Sequence, residues 1–218
     1  MQTKIKNKGA LDLGLTNLVT FVDNIGSRPI IVKDEGKGVK SITQYYLKRV
    51  NKLQEQYAQQ QYKQLKNQNR LVYGPTYYRI KERWRRKVKE CFHQLSRFLV
   101  NLWKERKLIT IYIGYNPLWK QQLRLRKKTT QLFVIIPFHH LVKLLKYKAA
   151  EEGITVELVD ESYTSKCSFL DNETVGKHPT YKGRRIKRGL FLSAQGQLIN
   201  ADVNAAYNIL LKSDPHSI

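Results

Sequence analysis

The chain has 218 residues, with 40 Lys or Arg against 17 Asp or Glu, so its formal charge at neutral pH is +23. Hydrophobic residues make up 41% of the sequence, which suffices for a folded core and excludes a wholly disordered chain. No apolar stretch approaches the roughly 20 residues that cross a bilayer, and no signal peptide is evident, so we expect a cytoplasmic protein with no membrane partner. The excess of positive charge favours a polyanionic partner.

The first predicted elements are three short strands. Apolar and β-branched residues cluster at 11–15, 18–22 and 29–33, and residues 23–26 predict a turn between the second and third strands. We assign residues 1–40 to the first part of an α/β domain.

A long antiparallel helical hairpin is predicted at 41–107. Its first helix begins at the N-cap candidate Ser41 and runs to about residue 67, and a Gly-Pro pair at 74–75 separates the two helices. The second helix carries apolar residues at spacings of three and four, namely Tyr77, Ile80, Trp84, Val88, Cys91, Leu95, Phe98 and Leu102. Its opposite face is basic, and we favour a surface that contacts a nucleic-acid strand over one that only meets solvent.

Strands and helices alternate after the hairpin. A buried strand at 108–113, an amphipathic helix at 137–152 and a strand at 154–159 are predicted within a second part of the α/β domain at 108–160. Because strands come first and then alternate with helices, the order predicts a mixed α/β fold with the hairpin inserted into it.

The last third of the chain begins with an aperiodic stretch. The stretch 168–192 lacks periodicity and is rich in Lys, Arg, Gly and Asn. It predicts an exposed basic insertion, to which we assign residues 161–200. A final helix at 202–212 falls in segment 201–218 and completes the α/β domain.

Three acidic residues stand out in this basic chain. Asp12 lies in a predicted strand, Glu161 follows another strand, and Asp202 opens the last helix. Hydrolysis of a phosphodiester by a pair of divalent ions needs hard oxygen ligands on rigid elements, and Mg²⁺ or Mn²⁺ prefers carboxylates. A carboxylate cluster within a surface that binds polyanions therefore indicates a metal-dependent nuclease.

Four blocks of sequence resemble the conserved motifs of RuvC-like nuclease domains in the TnpB (OrfB) family of transposon-encoded proteins. In chain order they are Ala-Leu-Asp-Leu-Gly-Leu-Thr-Asn-Leu around Asp12, the stretch from Ile113 to Gln121, Glu-Ser-Tyr-Thr-Ser-Lys from Glu161, and Asn-Ala-Asp-Val-Asn-Ala-Ala-Tyr-Asn-Ile-Leu around Asp202. The family is related to type V CRISPR effectors. The resemblance implies an RNase H-like (RuvC-like) mixed sheet with flanking helices and an inserted long helical hairpin.

The same resemblance implies an activity, a cofactor and partners. We expect a metal-dependent endodeoxyribonuclease that is RNA-guided and transposon-associated, with Mg²⁺ or Mn²⁺ as its cofactor. Its partners would be DNA and a guide RNA, in the cytoplasm of a prokaryotic cell and associated with the nucleoid. Asp12, Glu161 and Asp202 would be the catalytic residues and metal ligands.

The middle acid departs from the pattern of many relatives. They supply it from a Glu-Asp-Leu motif after the fourth strand, where this chain has Gly114-Tyr115-Asn116. A subset of the family shares this form, and the resemblance implies that this subset supplies the Glu from the later block. We therefore assign Glu161, with Asp160 as the alternative.

The basic insertion departs from the family as well. Relatives often hold zinc there with four cysteines, whereas this chain offers only Cys167, with His178 as the nearest other candidate. Two ligands do not close a tetrahedral site, so we expect no zinc. The nucleic-acid contacts would then be Lys120, Tyr163, Thr164, Ser165, Lys166, Arg184, Arg185, Lys187 and Arg188. The alternative role for the Tyr-Thr-Ser-Lys group is to cap the next turn.

Family members carry a large region before the first catalytic Asp, which holds guide RNA and target DNA. Only eleven residues precede Asp12 in this chain. We therefore expect the catalytic half alone, as a truncated product, a fragment or one subunit of a split nuclease that works with an N-terminal recognition domain in trans. Two rival hypotheses are a catalytically idle nucleic-acid-binding relic or repressor, and a guide-independent nuclease of resolvase type.

Overall fold

The computed structural model describes residues 7–34, 38–62, 74–115 and 127–216. In chain order the elements are β1 (Lys8–Leu13), β2 (Asn17–Asp23), β3 (Ile30–Lys33), α1 (Val39–Tyr62), α2 (Pro75–Glu105), β4 (Thr110–Tyr115), α3 (Lys127–Ile135), α4 (Phe138–Glu151), β5 (Thr155–Asp160), β6 (Arg184–Lys187), β7 (Leu190–Leu192), β8 (Leu198–Asn200) and α5 (Ala201–Ser213). Within the described residues, no helix has both the length and the apolarity to span a membrane.

A five-stranded mixed sheet forms the centre of the fold. Its strand order is β3-β2-β1-β4-β5. β1, β2 and β3 are antiparallel neighbours joined by short turns, whereas β4 runs parallel to β1 and β5 runs parallel to β4. The parallel strands require crossover connections, which the helical hairpin and α4 provide. The predicted α/β fold with a mixed sheet and an inserted hairpin is confirmed.

Helices cover both faces of this sheet. On one face, Leu11 and Leu13 of β1 join a large apolar core with α2 and α4, whose largest fully buried side chain is Trp103. On the other face, Ala10 packs with α5 in a second cluster that includes Ile209. Successive side chains of a strand point to opposite faces, so Asp12 lies on the α5 face. This alternation decides where the site is built.

The buried stripe of α2 differs from the predicted one. Phe98 is 50% exposed, whereas Phe92, Leu99 and Trp103 are fully buried. The N-terminal half of α2 pairs with α1, but its C-terminal half packs against α4 and the sheet. Because the packing partner changes along α2, the buried face rotates about the helix axis. The single apolar stripe predicted from the sequence therefore does not describe the whole helix.

The basic insertion contains a second sheet that the sequence pattern did not predict. β6, β7 and β8 form an antiparallel three-stranded sheet in that order. Its strands are three or four residues long, and Phe191 is the one side chain of the three strands that is buried. Strands this short, with so little burial, leave no alternating pattern to detect.

A buried ion pair fixes the end of α2 to the sheet. The Asp23 carboxylate at the end of β2 is fully buried and lies 2.6 Å from the Arg106 guanidinium. Its other oxygen accepts backbone N–H groups of Ile25 and Ser27. The Arg106 guanidinium also lies over the Phe21 ring. Hairpin, turn and sheet therefore share one charged contact.

We expect Arg106→Ala to lower the free energy of unfolding by about 3–5 kcal/mol, because it leaves the buried Asp23 carboxylate without its counter-charge. Urea denaturation of the whole chain measures this. The matched control is Arg97→Ala, whose pair with Glu151 is 3.8 Å long and half exposed, and which should cost less than about 1 kcal/mol. Equal losses of unfolding free energy in Arg106→Ala and Arg97→Ala would contradict the stabilising role of the buried ion pair.

Candidate active site

Three elements bring the three acidic residues of the sequence motifs to one edge of the sheet. Asp12 lies on β1, Glu161 follows directly after β5, and Asp202 is the second residue of α5. β4 lies between β1 and β5, and all three strands run in the same direction. The site therefore spans three neighbouring strands and the first turn of the helix that covers them.

Gly114 on β4 allows this arrangement. A Cβ at this position would lie 2.5 Å from Cδ1 of Ile209 and 3.5 Å from Cβ of Glu161. A side chain here would force the end of the Ile209 side chain on α5 to move, whereas Cβ of Glu161 would lie at an ordinary van der Waals distance. The glycine on the fourth strand thus lets Ile209 of α5 pack directly on the backbone of the sheet, next to Glu161.

The three carboxylates influence one another electrostatically. The pKa of Asp12 is raised well above its ordinary value, first by burial and then by the negative charges of Asp202 and Glu161, while Arg185 partly offsets the rise. Like charges held together in a poorly solvated place favour the neutral form of one of them. A bound cation would relieve the same repulsion.

Asp160, the alternative middle acid, faces elsewhere. Its carboxylate lies 2.9 Å from the Lys212 ammonium group and also accepts the Ser162 hydroxyl and backbone N–H. Its side chain is 59% exposed. The structure thus groups Glu161, rather than Asp160, with Asp12 and Asp202.

Asp202 has two further partners. Asn17 on β2 donates its side-chain N–H to one carboxylate oxygen at 2.7 Å, and the Arg185 guanidinium of β6 lies 3.6 Å from the other oxygen. Asn200 caps α5 by accepting the backbone N–H groups of Asp202 and Val203. Arg185, predicted as a phosphate contact, therefore reaches one of the carboxylates. Asn17 was not predicted, because its role appears only when β2 and α5 are brought together.

Two asparagines of α5 hold the turn that carries Glu161. Asn208 donates to the carbonyls of Thr164 and Cys167 at 2.8 and 2.7 Å, and Asn204 donates to the Cys167 carbonyl at 2.9 Å. Asn204 also accepts the Phe169 backbone N–H. Both asparagines are fully buried. Two asparagines four residues apart lie on the same face of an otherwise apolar helix. This spacing is the signal in the sequence that could have predicted their buried hydrogen bonds.

The residues that follow Glu161 have different environments. Tyr163 adopts a left-handed conformation with φ of 69°, and the buried Thr164 hydroxyl donates to the Glu161 carbonyl. Ser165 and Lys166 are exposed, and the Lys166 ammonium lies between the rings of Tyr163 and Tyr181. Thr164 thus lies inside the turn, while Lys166 is available at its surface.

The second sheet presents the remaining basic candidates beside the carboxylates. Arg184, Arg185 and Lys187 on β6 are exposed, and Arg188 donates to the Thr16 hydroxyl in the β1–β2 turn. Lys120 lies outside the described residues. The insertion therefore places positive charge next to the acidic cluster.

The donor set of the cluster suits a hard divalent cation. It consists of carboxylate oxygens, with an amide and a guanidinium around Asp202. In the described part of the chain, no three acidic, His or Cys side chains already stand at the spacing of a closed metal site.

Carboxylates organise the start of the insertion, where relatives use cysteines. Glu173 is buried, and its two oxygens accept the backbone N–H groups of Ser168 and Lys182 at 2.8 and 3.0 Å. The Cys167 thiol is buried against the Gly176 carbonyl, and His178 contacts the Thr174 carbonyl. Each group is engaged within the loop.

Comparison with known families gives two matches that cover most of the chain. Residues 1–120 match the OrfB_IS605 family, described as a probable transposase, and residues 138–209 match the Cas12f1-like TNB domain. The TnpB-like protein ORF457 of Acidianus two-tailed virus is 29% identical over 136 residues, which is 62% of this chain and 27% of that protein.

Solved structures share the fold at low sequence identity. The Cas12f1–sgRNA–target DNA complex matches with a TM-score of 0.63 and 14% identity, over 96% of this chain and 50% of that one. A CRISPR-Cas12f ternary complex gives 0.59 and 16%, over 92% and 38%, and the mini-RNA-guided endonuclease CRISPR-Cas_phi3 gives 0.56 and 11%, over 95% and 45%. The chain thus spans half or less of the length of these relatives.

We expect Asp12→Asn to stabilise the metal-free protein. The folded-state pKa of Asp12 lies above the unfolded value, so the wild-type fold loses stability as pH rises from the unfolded pKa through the folded one. The amide variant lacks this loss. In the presence of a chelator, the wild type and Asp12→Asn should have similar melting temperatures at acidic pH. Toward neutral pH, Asp12→Asn should have the higher melting temperature.

Added Mg²⁺ or Mn²⁺ should then raise the melting temperature of the wild type more than that of Asp12→Asn. Asp160→Asn is the control and should respond to the cation as the wild type does. If Asp12→Asn is less stable than the wild type at neutral pH in chelator, the proposed repulsion among the three carboxylates is contradicted.

We expect Glu173→Gln to open the insertion locally, because the amide replaces one acceptor of a backbone N–H by a donor. Hydrogen exchange of residues 168–200 should speed up, while Glu157→Gln on exposed β5 should leave it unchanged.

Elemental analysis of the wild-type protein should find no stoichiometric zinc. One tightly held zinc per chain would contradict the assignment and point to Cys167 and His178.

Proposed function

Because the chain belongs to the OrfB_IS605 family of probable transposases, that of the TnpB proteins, we propose that it carries the catalytic centre of a metal-dependent endodeoxyribonuclease. The observation that carries the proposal is the convergence of Asp12, Glu161 and Asp202 in a chain of charge +23. A positive surface holds a polyanion, and the acidic cluster is where hydrolysis of that polyanion would take place.

Each acid has a part in this proposal. Asp12, Glu161 and Asp202 would hold the divalent cations, Mg²⁺ or Mn²⁺. The cations would supply Lewis-acid activation of water and stabilisation of the leaving oxygen. Asn17 would orient the Asp202 carboxylate through its hydrogen bond, as residues behind a metal ligand commonly do.

Arg185 would serve two states of the site. Its guanidinium neutralises part of the charge of Asp202 when no cation does so. Once a cation takes over that task, the guanidinium would be free to contact a phosphate of the bound strand, in a fork geometry that suits phosphate oxygens. Arg184, Lys187, Arg188 and Lys166 would add phosphate contacts around it, and Lys120 stays a predicted phosphate contact.

RNA guidance is the finer part of the proposal. It rests on the fold shared with the Cas12f1–sgRNA–target DNA complex and with the mini-RNA-guided endonuclease CRISPR-Cas_phi3. In such proteins base pairing supplies the sequence specificity and the protein holds backbones. The basic surfaces of this chain suit that division of labour.

We expect Asp12→Ala, Glu161→Gln and Asp202→Ala each to reduce DNA cleavage by more than about 100-fold, since even residues that merely support metal ligands cost about 10- to 100-fold. Asn17→Ala should fall within that smaller range. Cleavage of a labelled DNA strand with Mg²⁺ or Mn²⁺ measures this in the assembly in which the protein is active, and nucleic-acid affinity in chelator should change little.

Asp160→Asn is the matched control and should retain cleavage, because its carboxylate faces Lys212. Normal cleavage by Glu161→Gln together with loss of cleavage in Asp160→Asn would identify Asp160, rather than Glu161, as the middle metal ligand. Tight binding with no cleavage by the wild type under any cation and guide would favour the idle, repressor-like alternative.

A further inference from the structure

A groove between α1 and the N-terminal half of α2 has no role in the site described above. Its volume is about 700 Å³, within the range of about 300–1,000 Å³ that ligand pockets occupy. It is lined by residues from 41–49 of α1 and 76–87 of α2. The carboxylate site uses none of them.

The floor of the groove is a fixed aromatic platform. The rings of Tyr46 and Trp84 are stacked with centroids 4.7 Å apart and planes 20° from parallel. The Trp84 indole N–H donates to the Thr43 hydroxyl oxygen at 3.1 Å, and that hydroxyl donates to the Val39 carbonyl at 2.7 Å. These bonds hold the indole in one orientation, so the platform is formed before any ligand arrives.

The rim of the groove is strongly basic. Its charged residues are Arg49, Arg79, Arg83, Arg86, Lys87 and the single acid Glu82. Within the described parts of the chain, none of the five cations forms an ion pair with a carboxylate. Positive charge thus predominates around the aromatic floor, with five basic residues against one acid.

An aromatic side chain stands at the mouth of the groove. Tyr45 is 63% exposed, and its hydroxyl accepts a hydrogen bond from Arg49. A large exposed ring on an ordered helix, beside a guanidinium, presents a flat face to solvent. Such a face suits stacking by a nucleobase.

The groove lies on the other side of the sheet from the acidic cluster. Trp84 and Ile42 pack against the core that α2 and α4 form with Leu11 and Leu13, whereas Asp12 points to the α5 face. A ligand in the groove would not overlap the proposed site of hydrolysis. The two sites are therefore separate.

From these features we propose that the groove binds an unpaired stretch of nucleic acid, with bases on its aromatic residues and phosphates at its basic rim. Arg79, Arg83 and Arg86 follow one face of α2, with Arg79 and Arg83 about 6 Å apart along the helix axis. Regularly spaced cations match the repeated charge of a strand, and an acidic peptide would leave the aromatic platform unused. A duplex keeps its bases stacked inside, beyond reach of the floor.

The test is binding by the full chain in chelator, so that hydrolysis plays no part in it. The probes are fluorescent oligo(dT) and oligo(U) of about 12 nucleotides, a length within the range that single-strand sites cover, and a duplex of equal length. Tyr45→Ala should raise the Kd for a single strand about five-fold or more, the lower end of the effect of losing one stacked base. Tyr78→Ala, on α2 outside the groove and 59% exposed, is the matched control and should leave the Kd unchanged.

Charge is tested in the same way. Arg79→Gln with Arg83→Gln should reduce the slope of log affinity against log salt by about 1.4, or about 0.7 for each lost phosphate contact on a single strand. Arg85→Gln with Lys89→Gln removes the same charge from α2 outside the groove and should change the slope less. The preference between oligo(dT) and oligo(U) identifies which strand the groove takes.

Photocrosslinking with 4-thiopyrimidine probes locates the strand independently of affinity. Crosslinked peptides from 41–49 or 76–87 support the groove. Crosslinks only elsewhere, or equal affinities of Tyr45→Ala and Tyr78→Ala, would overturn it, as would a dimer that Tyr45→Ala dissociates without any change in nucleic-acid affinity. Binding and crosslinking in chelator do not depend on hydrolysis, so failure of this test is distinguishable from failure of the proposed function.

Discussion

The close approach of α5 to the sheet at Gly114 is the constraint on which the site depends. The first turn of this helix carries Asp202 on the face of the sheet to which Asp12 belongs, and Ile209 of the same helix packs on Gly114, where a Cβ would displace its Cδ1 atom. The same helix then fixes the turn that carries Glu161 through the buried amides of Asn204 and Asn208. One helix thus delivers one acid and positions another, and an outward movement of α5 would disassemble both contributions together.

Electrostatics explains why such a cluster is costly without a cation. Burial and the neighbouring carboxylates hold the pKa of Asp12 high, and Asp202 is met by Arg185. The protein places its scarce acids where they repel one another, so the fold, rather than attraction among the side chains, keeps them together. Stability is given up at the place where binding of a positive ion would restore it, which is common at functional sites.

Sequence alone identified the family, the mixed sheet and the helical hairpin, because long periodic helices and local motifs carry those signals. It also named the three acids that the structure groups together. It did not show Asn17 beside Asp202, nor the small sheet made of β6, β7 and β8. Asn17 and Asp202 are 185 residues apart, and strands of three or four residues have too few positions for an alternating pattern. The buried face of α2 was displaced for a related reason, since the helix changes partner along its length. These features depend on contacts between distant segments.

The carboxylate that organises the insertion affects how this part of the protein acquires its structure. Ribbons held by a metal become ordered only when they capture an ion, so they compete for a shared cellular supply. Glu173 and the backbone groups that it binds belong to one chain, so if the insertion binds no zinc, as we predict, this loop would become ordered without capturing a solute. The arm that carries Arg185 to the acidic cluster can therefore take shape together with the rest of the domain.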